Sequence, residues 1–413
     1  NRGQVLNRHK KAKSESGRKR NAVIYEAREH SIRKNDIDED ARMVVYRLQR
    51  AGFKAYIVGG GVRDLLLGKR PKDFDISTDA TPRQIKSIFR NSRIIGRRFK
   101  LAHVFFSHGK NLEVSTFRDL ADPIEPSDGE EVGAAPVSND NTYGTEETDA
   151  LRRDLTINGL FLDVSTLRVI DYVNGMDDLR SGTIRIIGEP DKRFLEDPVR
   201  MLRAVRHSAR NGFQIEPLCW NSIVKNAKLI ENCSQVRIFD EIKKDLTSGS
   251  FLSILSLLAD TGMLEYILPE ILEDNGRLLS AESDCAVCLD KIDELATRGK
   301  APSPTTALAI LGLFMAGDSI WLRDLTESFI NSGDLSERLR SCFTRLTVPR
   351  KERERIHLLL TLWSRVLRTP LKSFKAGAYK RSSLINELIE VLDITQTGRE
   401  DTQKLKLLAN GAQ

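Results

Sequence analysis

Asp73-Phe74-Asp75 sets two carboxylates one residue apart. On a strand, residues i and i+2 face the same side, so both acids project together while Phe74 turns into the core. Carboxylates this close repel unless a proton or a cation neutralises them. Oxygen donors of this kind suit Mg2+, which shares its shell with waters and substrate phosphates. Glu113, in Leu112-Glu113-Val114-Ser115-Thr116-Phe117-Arg118, offers a third carboxylate on a later predicted strand. A D-x-D by itself is common and also reads as a strand-end turn.

Just upstream, Gly59-Gly60-Gly61-Val62-Arg63-Asp64 lies between a predicted strand at 55–58 and a short predicted helix at 62–67. Glycines there let backbone N–H groups approach phosphate oxygens, and a helix N-terminus adds its dipole. Arg63 is placed to pair with the same anion. The stretch is not a dinucleotide fingerprint, because G-x-G-x-x-G is absent. It is not a P-loop either, because Gly68-Lys69 is followed by Arg70 at the wrong spacing. Alone, the triplet also reads as a tight turn. Its position directly before the D-x-D gives both halves weight.

Two blocks follow downstream. Arg152-Arg153-Asp154-Leu155-Thr156-Ile157-Asn158 falls in a predicted helix over 148–158. Asp154 and Asn158 would share a face there, as would Arg153 and Ile157; the bland reading is an exposed helix with charges of both signs. Glu196-Asp197-Pro198-Val199-Arg200-Met201-Leu202-Arg203 opens a long predicted helix over 198–210. Pro198 fits its first position and Asp197 its cap. Arg200 and Arg203 lie near one face. Asp197 is then either a cap alone or, with the arginines, part of a set of acceptors and donors for a base edge or a triphosphate.

In this order, G-G-G-V-R-D, D-F-D, L-R-R-D-L-T-I-N and E-D-P-V-R-M-L-R resemble the class II nucleotidyltransferases, the family of bacterial poly(A) polymerases and CCA-adding enzymes. The resemblance runs over about residues 35–235. Ile95-Gly96-Arg97-Arg98-Phe99-Lys100-Leu101-Ala102-His103-Val104 is similar to the poly(A) polymerase signature, where CCA-adding relatives usually carry a Lys-His-Gly-Thr-like stretch. The resemblance implies template-independent transfer of AMP from ATP to an RNA 3′-hydroxyl, on mRNA or another RNA, in the service of RNA turnover. It implies two Mg2+ ions at Asp73 and Asp75, with Mn2+ as a substitute and Glu113 completing the ligand set. Gly60, Gly61 and Arg63 would seat the triphosphate. Asp154, Arg152, Arg153 and Asn158 would anchor ribose or phosphate. Glu196, Asp197, Arg200 and Arg203 would read the base. The alternative within the family is CCA or A addition to tRNA. The alternative of another class is a non-catalytic RNA-binding protein on the same scaffold, against which the intact D-F-D argues.

A chain of 413 residues sets a prior of about two to four domains. A net charge of +7 favours a polyanionic partner and equally suits a mildly basic enzyme. Five cysteines, odd in number and irregularly spaced, point to a reducing compartment. Cys285-Ala-Val-Cys288 has no second pair, so it reads as two small core residues rather than a zinc site. No apolar run is long enough to span a membrane, and residues 1–21 lack the apolar segment of a signal peptide. A monomer in the cytoplasm is the expectation.

Periodicity gives alternating strands and helices up to about residue 172, then helices almost throughout. The expected fold is an α+β nucleotidyltransferase head, a mixed β-sheet with flanking helices, followed by an elongated all-α neck and body. Residues 1–35 read as a flexible basic arm, 36–172 as the catalytic head, 173–235 as a base-recognising neck and 236–413 as an RNA-binding body. Within the head, 119–148 reads as a long mobile loop.

Overall fold

Ala41, Val44, Val45 and Leu48 recur at three- and four-residue steps, and all four are buried along one stripe of helix α1, Glu39–Arg50. Asp38 supplies the cap: its side chain accepts the Ala41 N–H at 3.1 Å. The computed structural model describes residues 22–96, 100–119, 143–272, 277–316, 333–379, 383–395 and 399–409. The basic run at 1–21, the signature residues 97–99 and most of the predicted loop at 119–148 lie outside the described residues.

The chain divides into two compact units, Asn1–Asp177 and Asp178–Gln413. In the first, the strands are β1 (Val23–Tyr25), β2 (Ala55–Val58), β3 (Asp75–Thr78), β4 (Ser92–Ile95), β5 (Leu101–Phe105), β6 (Asn111–Thr116), β7 (Leu160–Asp163) and β8 (Arg168–Asp171). They form one mixed sheet in the order β1-β8-β7-β2-β3-β6-β5-β4. Every neighbouring pair is antiparallel except β3 and β6. Ile57, Ile76, Val114, Leu162 and Val169 pack with the α1 stripe into one core. Each such side chain contributes about 1.5–3 kcal/mol on leaving water. A one-residue slip would turn that set outward, so burial fixes the register.

Two expectations are corrected here. Val23–Tyr25 is a strand at the sheet edge, with Val23 opposite Asp171 and Tyr25 opposite Val169. The expected arm therefore includes a sheet segment, hidden in the sequence by the charges around a three-residue apolar run. The predicted helix over 148–158 is shorter and earlier. It is α4, Glu146–Arg152, capped by Thr145. The chain then leaves helical geometry at Arg153 and buries Leu155 and Ile157 completely. Long-range burial overrides local helix preference at that point.

The second unit opens with strand β9 (Thr183–Ile184), paired in parallel with β10 (Gln214–Ile215). Helices α6 (Pro190–Glu196), α7 (Val199–Asn211), α8 (Pro217–Asn226) and α9 (Gln235–Asp245) accompany them, with Gly175–Ser181 as α5 at the junction. Further on, Pro304–Ala316 is apolar on all sides and buries residues 307–311 and 313–315, as a central core helix should. Cys285 and Cys288 sit buried and unoxidised on the helix Asp284–Thr297. Burial pushes the Cys288 thiol up to about 12, which suits packing and not metal ligation. No described helix is long and apolar enough to cross a membrane.

Candidate active site

β2 runs into Gly59, whose φ of +70° and ψ of −138° lie where only glycine is comfortable. A Cβ there would stand 3.2 Å from Arg153 Nη1. Helix α2, Gly60–Leu66, starts at once. A Cβ on Gly61 would meet the Asp73 carbonyl oxygen at 3.3 Å and Phe74 at 3.6 Å. The glycines therefore let the start of α2 lie directly on the D-x-D backbone.

Phe74 is buried in the core, as expected. The strand itself begins only at Asp75, so Asp73 stands in the lead-in turn and is exposed. Glu113 comes alongside through the parallel pair: Ile76 is registered with Val114, and Asp75 and Glu113 each precede those residues by one. His103, registered opposite Glu113 on β5, lies 3.5 Å from its carboxylate.

Asp75 keeps an accessible carboxylate but is ringed by protein. That crowding, with the negative charges of Glu113 and Asp73, raises its carboxyl above the usual range, and the Arg153 guanidinium opposes the rise. Asp75 and Glu113 line two cavities at once, one of about 1230 Å³ and one of about 270 Å³. Asp73 lines the larger. Arg118, Arg152 and Arg153 line the smaller.

Arg153 is the best-defined of these cations. Its Nη2 donates to Asp149 at 2.9 Å and to Ser77 Oγ at 3.3 Å, and its guanidinium lies 5.4 Å from the centre of the Phe161 ring. Arg63 is buried and does not line either cavity. Its Nη1 donates to Asn158 Oδ1 at 2.7 Å, and its Nε and Nη2 donate to Asp64 at 2.9 and 2.7 Å. A buried guanidinium must be satisfied by the protein, so Arg63 serves here as a strut between α2 and the turn at Thr156–Asn158. Asp154 Oδ1 accepts the Leu155 N–H at 2.7 Å and Asn158 Nδ2 at 3.4 Å. Asp154 and Asn158 do meet, but through that turn and not along a helix face.

In the second unit the E-D-P-V-R block departs from the expected cap. Glu196 ends α6, Asp197 sits between helices, and Pro198 takes the cap position of α7. The proline favours a helix start, but the α6 end occupies Asp197 first. Asp197 still accepts the Val199 N–H at 3.3 Å. Arg200 Nη1 donates to Glu196 at 2.8 Å and to the Arg193 carbonyl at 2.9 Å. Arg203 reaches Glu241 at 3.4 Å. The sequence reading missed Arg237, whose Nη2 donates to both Asp197 oxygens at 3.0 and 2.9 Å. Its signal was a cation in the first turn of α9, where a helix disfavours positive charge unless an acid answers it.

Residues 55–185 match the family described as "Poly A polymerase head domain". Residues 212–274 match "Probable RNA and SrmB- binding site of polymerase A". Poly(A) polymerase I of Escherichia coli O6:H1 is 42% identical over 272 residues, 65% of this chain and 58% of that protein. The CCA-adding enzyme of Ligilactobacillus salivarius is 35% identical over 264 residues, 61% of this chain and 62% of that one. The chain thus spans roughly three-fifths of the length of these relatives. Among solved structures, the CCA-adding enzyme of Bacillus stearothermophilus, in complex with CTP, is 25% identical with a TM-score of 0.66, covering 90% of this chain and 81% of that one. The ordered motifs, the mixed sheet that carries them and these matches agree: residues 55–185 carry a head domain of the poly(A) polymerase type, on a chain similar to poly(A) polymerases and CCA-adding enzymes.

Proposed function

We propose that this chain adds AMP from ATP to RNA 3′ ends without a template and releases pyrophosphate. The observation that carries the reading is the convergence of Asp75 and Glu113 from adjacent parallel strands, with Asp73 beside them, at the border of two cavities. The raised Asp75 carboxyl marks negative charge that the protein alone leaves uncompensated.

Among the described residues, no cluster of three His, Cys, Asp or Glu is closed tightly enough to hold a metal by itself. That fits Mg2+, which is bound through one or two carboxylates plus substrate phosphates and waters. Asp73 and Asp75 would hold two such ions, with Glu113 adjoining and Mn2+ able to substitute. Ions held there supply a more acidic 3′-hydroxyl and offset the charge on the leaving pyrophosphate. Arg153 keeps Asp75 towards its ionised form. Arg118, Arg152 and Arg153 offer forked donors to triphosphate oxygens in the smaller cavity. Gly60 and Gly61 bring α2 against the D-x-D, and Arg63, Asp154 and Asn158 brace the turn behind it. Asp197, Arg200 and Arg203, with Glu196 and Arg237 orienting them, present acceptors and donors to the base.

Adenylation of general RNA ends is favoured by the 42% identity to a protein named poly(A) polymerase I. The second reading, nucleotide addition to tRNA, is favoured by a solved CCA-adding enzyme whose fold covers 90% of this chain. The test uses the full chain with Mg2+, ATP or CTP, and two RNAs: an unstructured oligo(A) and a tRNA ending in CC. Long A tails on the oligo(A) support the proposal. A single A confined to the tRNA selects the second reading, and no product on either RNA rejects the enzymatic assignment. Chelation should abolish tailing, and Mg2+ or Mn2+ should restore it.

A further inference from the structure

We propose that the larger cavity of the first unit is a phosphodiester-backbone subsite, which holds the RNA segment just before its 3′ end. The inference rests on the nucleotidyl-transfer reading above and adds where the RNA strand lies.

The first support is an imbalance of charge. Outside the carboxylates Asp73, Asp75 and Glu113, cations outnumber acids along the walls of this cleft. Arg33, Arg42, Arg70 and Lys72 line it, and no hydrogen bond or ion pair to any described residue holds their side chains. Arg42 Nε is buried with no hydrogen-bond partner among the described residues, which leaves a donor that a ligand oxygen would satisfy. Of the three remaining acids in the lining, Glu39 is exposed and the other two are engaged. Lys110 spans Asp38 and Asp40 at 2.6 and 2.7 Å, and Asp36 accepts the Arg33 N–H at 2.8 Å. Unanswered cations around a cleft are the footprint of an anionic ligand.

Size and lining narrow the ligand. A volume of about 1230 Å³ exceeds the roughly 300–1,000 Å³ of a pocket for one small molecule. Among the described residues Phe74 is the lone aromatic along it, and it is turned into the core, so those residues offer bases no stacking platform of the kind that single-strand binders use. Contacts would go to phosphates, and phosphate contacts position a strand without reading its sequence. That suits an enzyme meeting many different RNA ends.

Reaction geometry points the same way. In phosphoryl transfer the attacking and leaving oxygens lie roughly in line on opposite sides of phosphorus. Asp75 and Glu113 separate the two cavities. With the triphosphate among Arg118, Arg152 and Arg153 on the smaller side, the 3′-hydroxyl must arrive from the larger one.

The test is the exposed pair Arg70→Ala/Lys72→Ala in the full chain, with Arg33→Ala as an independent second variant. Tailing of 5′-labelled oligo(A) gives KM for RNA and for ATP separately, across a salt series. A single-strand contact contributes a slope of about −0.7 in log affinity against log salt. Two lost contacts should therefore raise KM for RNA ~25-fold at 0.1 M salt and flatten the slope by about 1.4, while KM for ATP stays within twofold. A rise in KM for ATP with KM for RNA unchanged would make the cleft a triphosphate seat and overturn the proposal. Unchanged values of both would also overturn it. If the wild-type chain tails neither RNA, the transfer reading itself falls. Binding of labelled oligo(A) without ATP then still reads the cleft, and equal affinities of wild type and double variant reject it.

Discussion

Replacing Arg206 by Met should remove the central cation of the second unit while keeping its bulk. The side chains of Arg206, Glu241 and Asp245 are only 5–8% exposed. Arg206 Nη1 lies 2.5 Å from Glu241, its Nε donates to Asp245, and its Nη2 donates to the Glu241 carbonyl at 3.0 Å. Burial works against the Glu241 charge, but Arg206, Arg203 and Lys244 outweigh it and hold that carboxyl below its ordinary range. At Asp245 burial wins despite Arg206 and pushes the carboxyl up to about 6. Without Arg206, two carboxylates remain in a dry site. Breaking such a network by removing one partner costs about 3–5 kcal/mol. In a unit of this size 1 kcal/mol moves Tm by about 2–4 °C, so the expected fall at pH 7 is roughly 6–20 °C. The sign with pH follows from linkage. Glu241 keeps Arg203 and Lys244, but Asp245, already raised by burial, loses its main counter-charge, so its stability contribution is present in acid and lost as pH rises through its folded value. The deficit of the variant should therefore shrink between pH 7 and pH 5. Scanning calorimetry of the full chain at both pH values reads this directly. A fall of less than about 3 °C, or a deficit equal at the two pH values, would refute the reasoning.

Asp75→Asn should lower tailing by more than the roughly 10–100-fold that loss of an outer-shell partner brings, without lowering Tm. The raised Asp75 carboxyl makes the metal-free fold lose stability as pH rises through its folded pKa, and the amide removes that loss; a marked drop in Tm in calorimetry would contradict this. Gly59→Ala should cost about 1–3 kcal/mol of stability from its backbone geometry, and tailing should fall with it because the new Cβ faces Arg153 at 3.2 Å; a variant with wild-type Tm and rate would count against the strained loop. Arg200→Ala should relax the choice of ATP over CTP more than it lowers the rate, and an unchanged ATP/CTP ratio in competition assays would remove Arg200 from base reading.

The D-x-D and the glycine turn were legible because local chemistry dictates both. A positive φ before a helix calls for glycine, and two acids around an apolar residue call for a cation, although the strand takes in only the second of them. Glu113 was legible as a type of residue, and its partnership with Asp75 needed the parallel register of β3 and β6. What local reading missed was set by distant groups. Arg63 looked like an anion ligand until Asp64 and Asn158 claimed its donors. Asp197 was expected at the cap of the long helix because α6 was not visible in a stretch where Pro190 and charged residues obscure the periodicity. Arg237 carried a signal as a cation in the first turn of α9, but nothing near it in the chain predicts Asp197 as its partner, 40 positions away. The end of α4 was misjudged because the burial of Leu155 and Ile157 is decided by tertiary packing that the local sequence does not show.

The parallel pairing of β3 and β6 has an evolutionary consequence. Asp75 and Glu113 are aligned by ladder hydrogen bonds, not by the length of chain between them. The intervening segment, α3 (Pro82–Ile88) with β4 and β5, can therefore gain or lose residues at its turns without shifting either carboxylate. Divergence in such proteins should accumulate as insertions and deletions there, while the offset of each acid from its strand partner stays fixed. Conservation in this part of the molecule is better sought in register than in spacing.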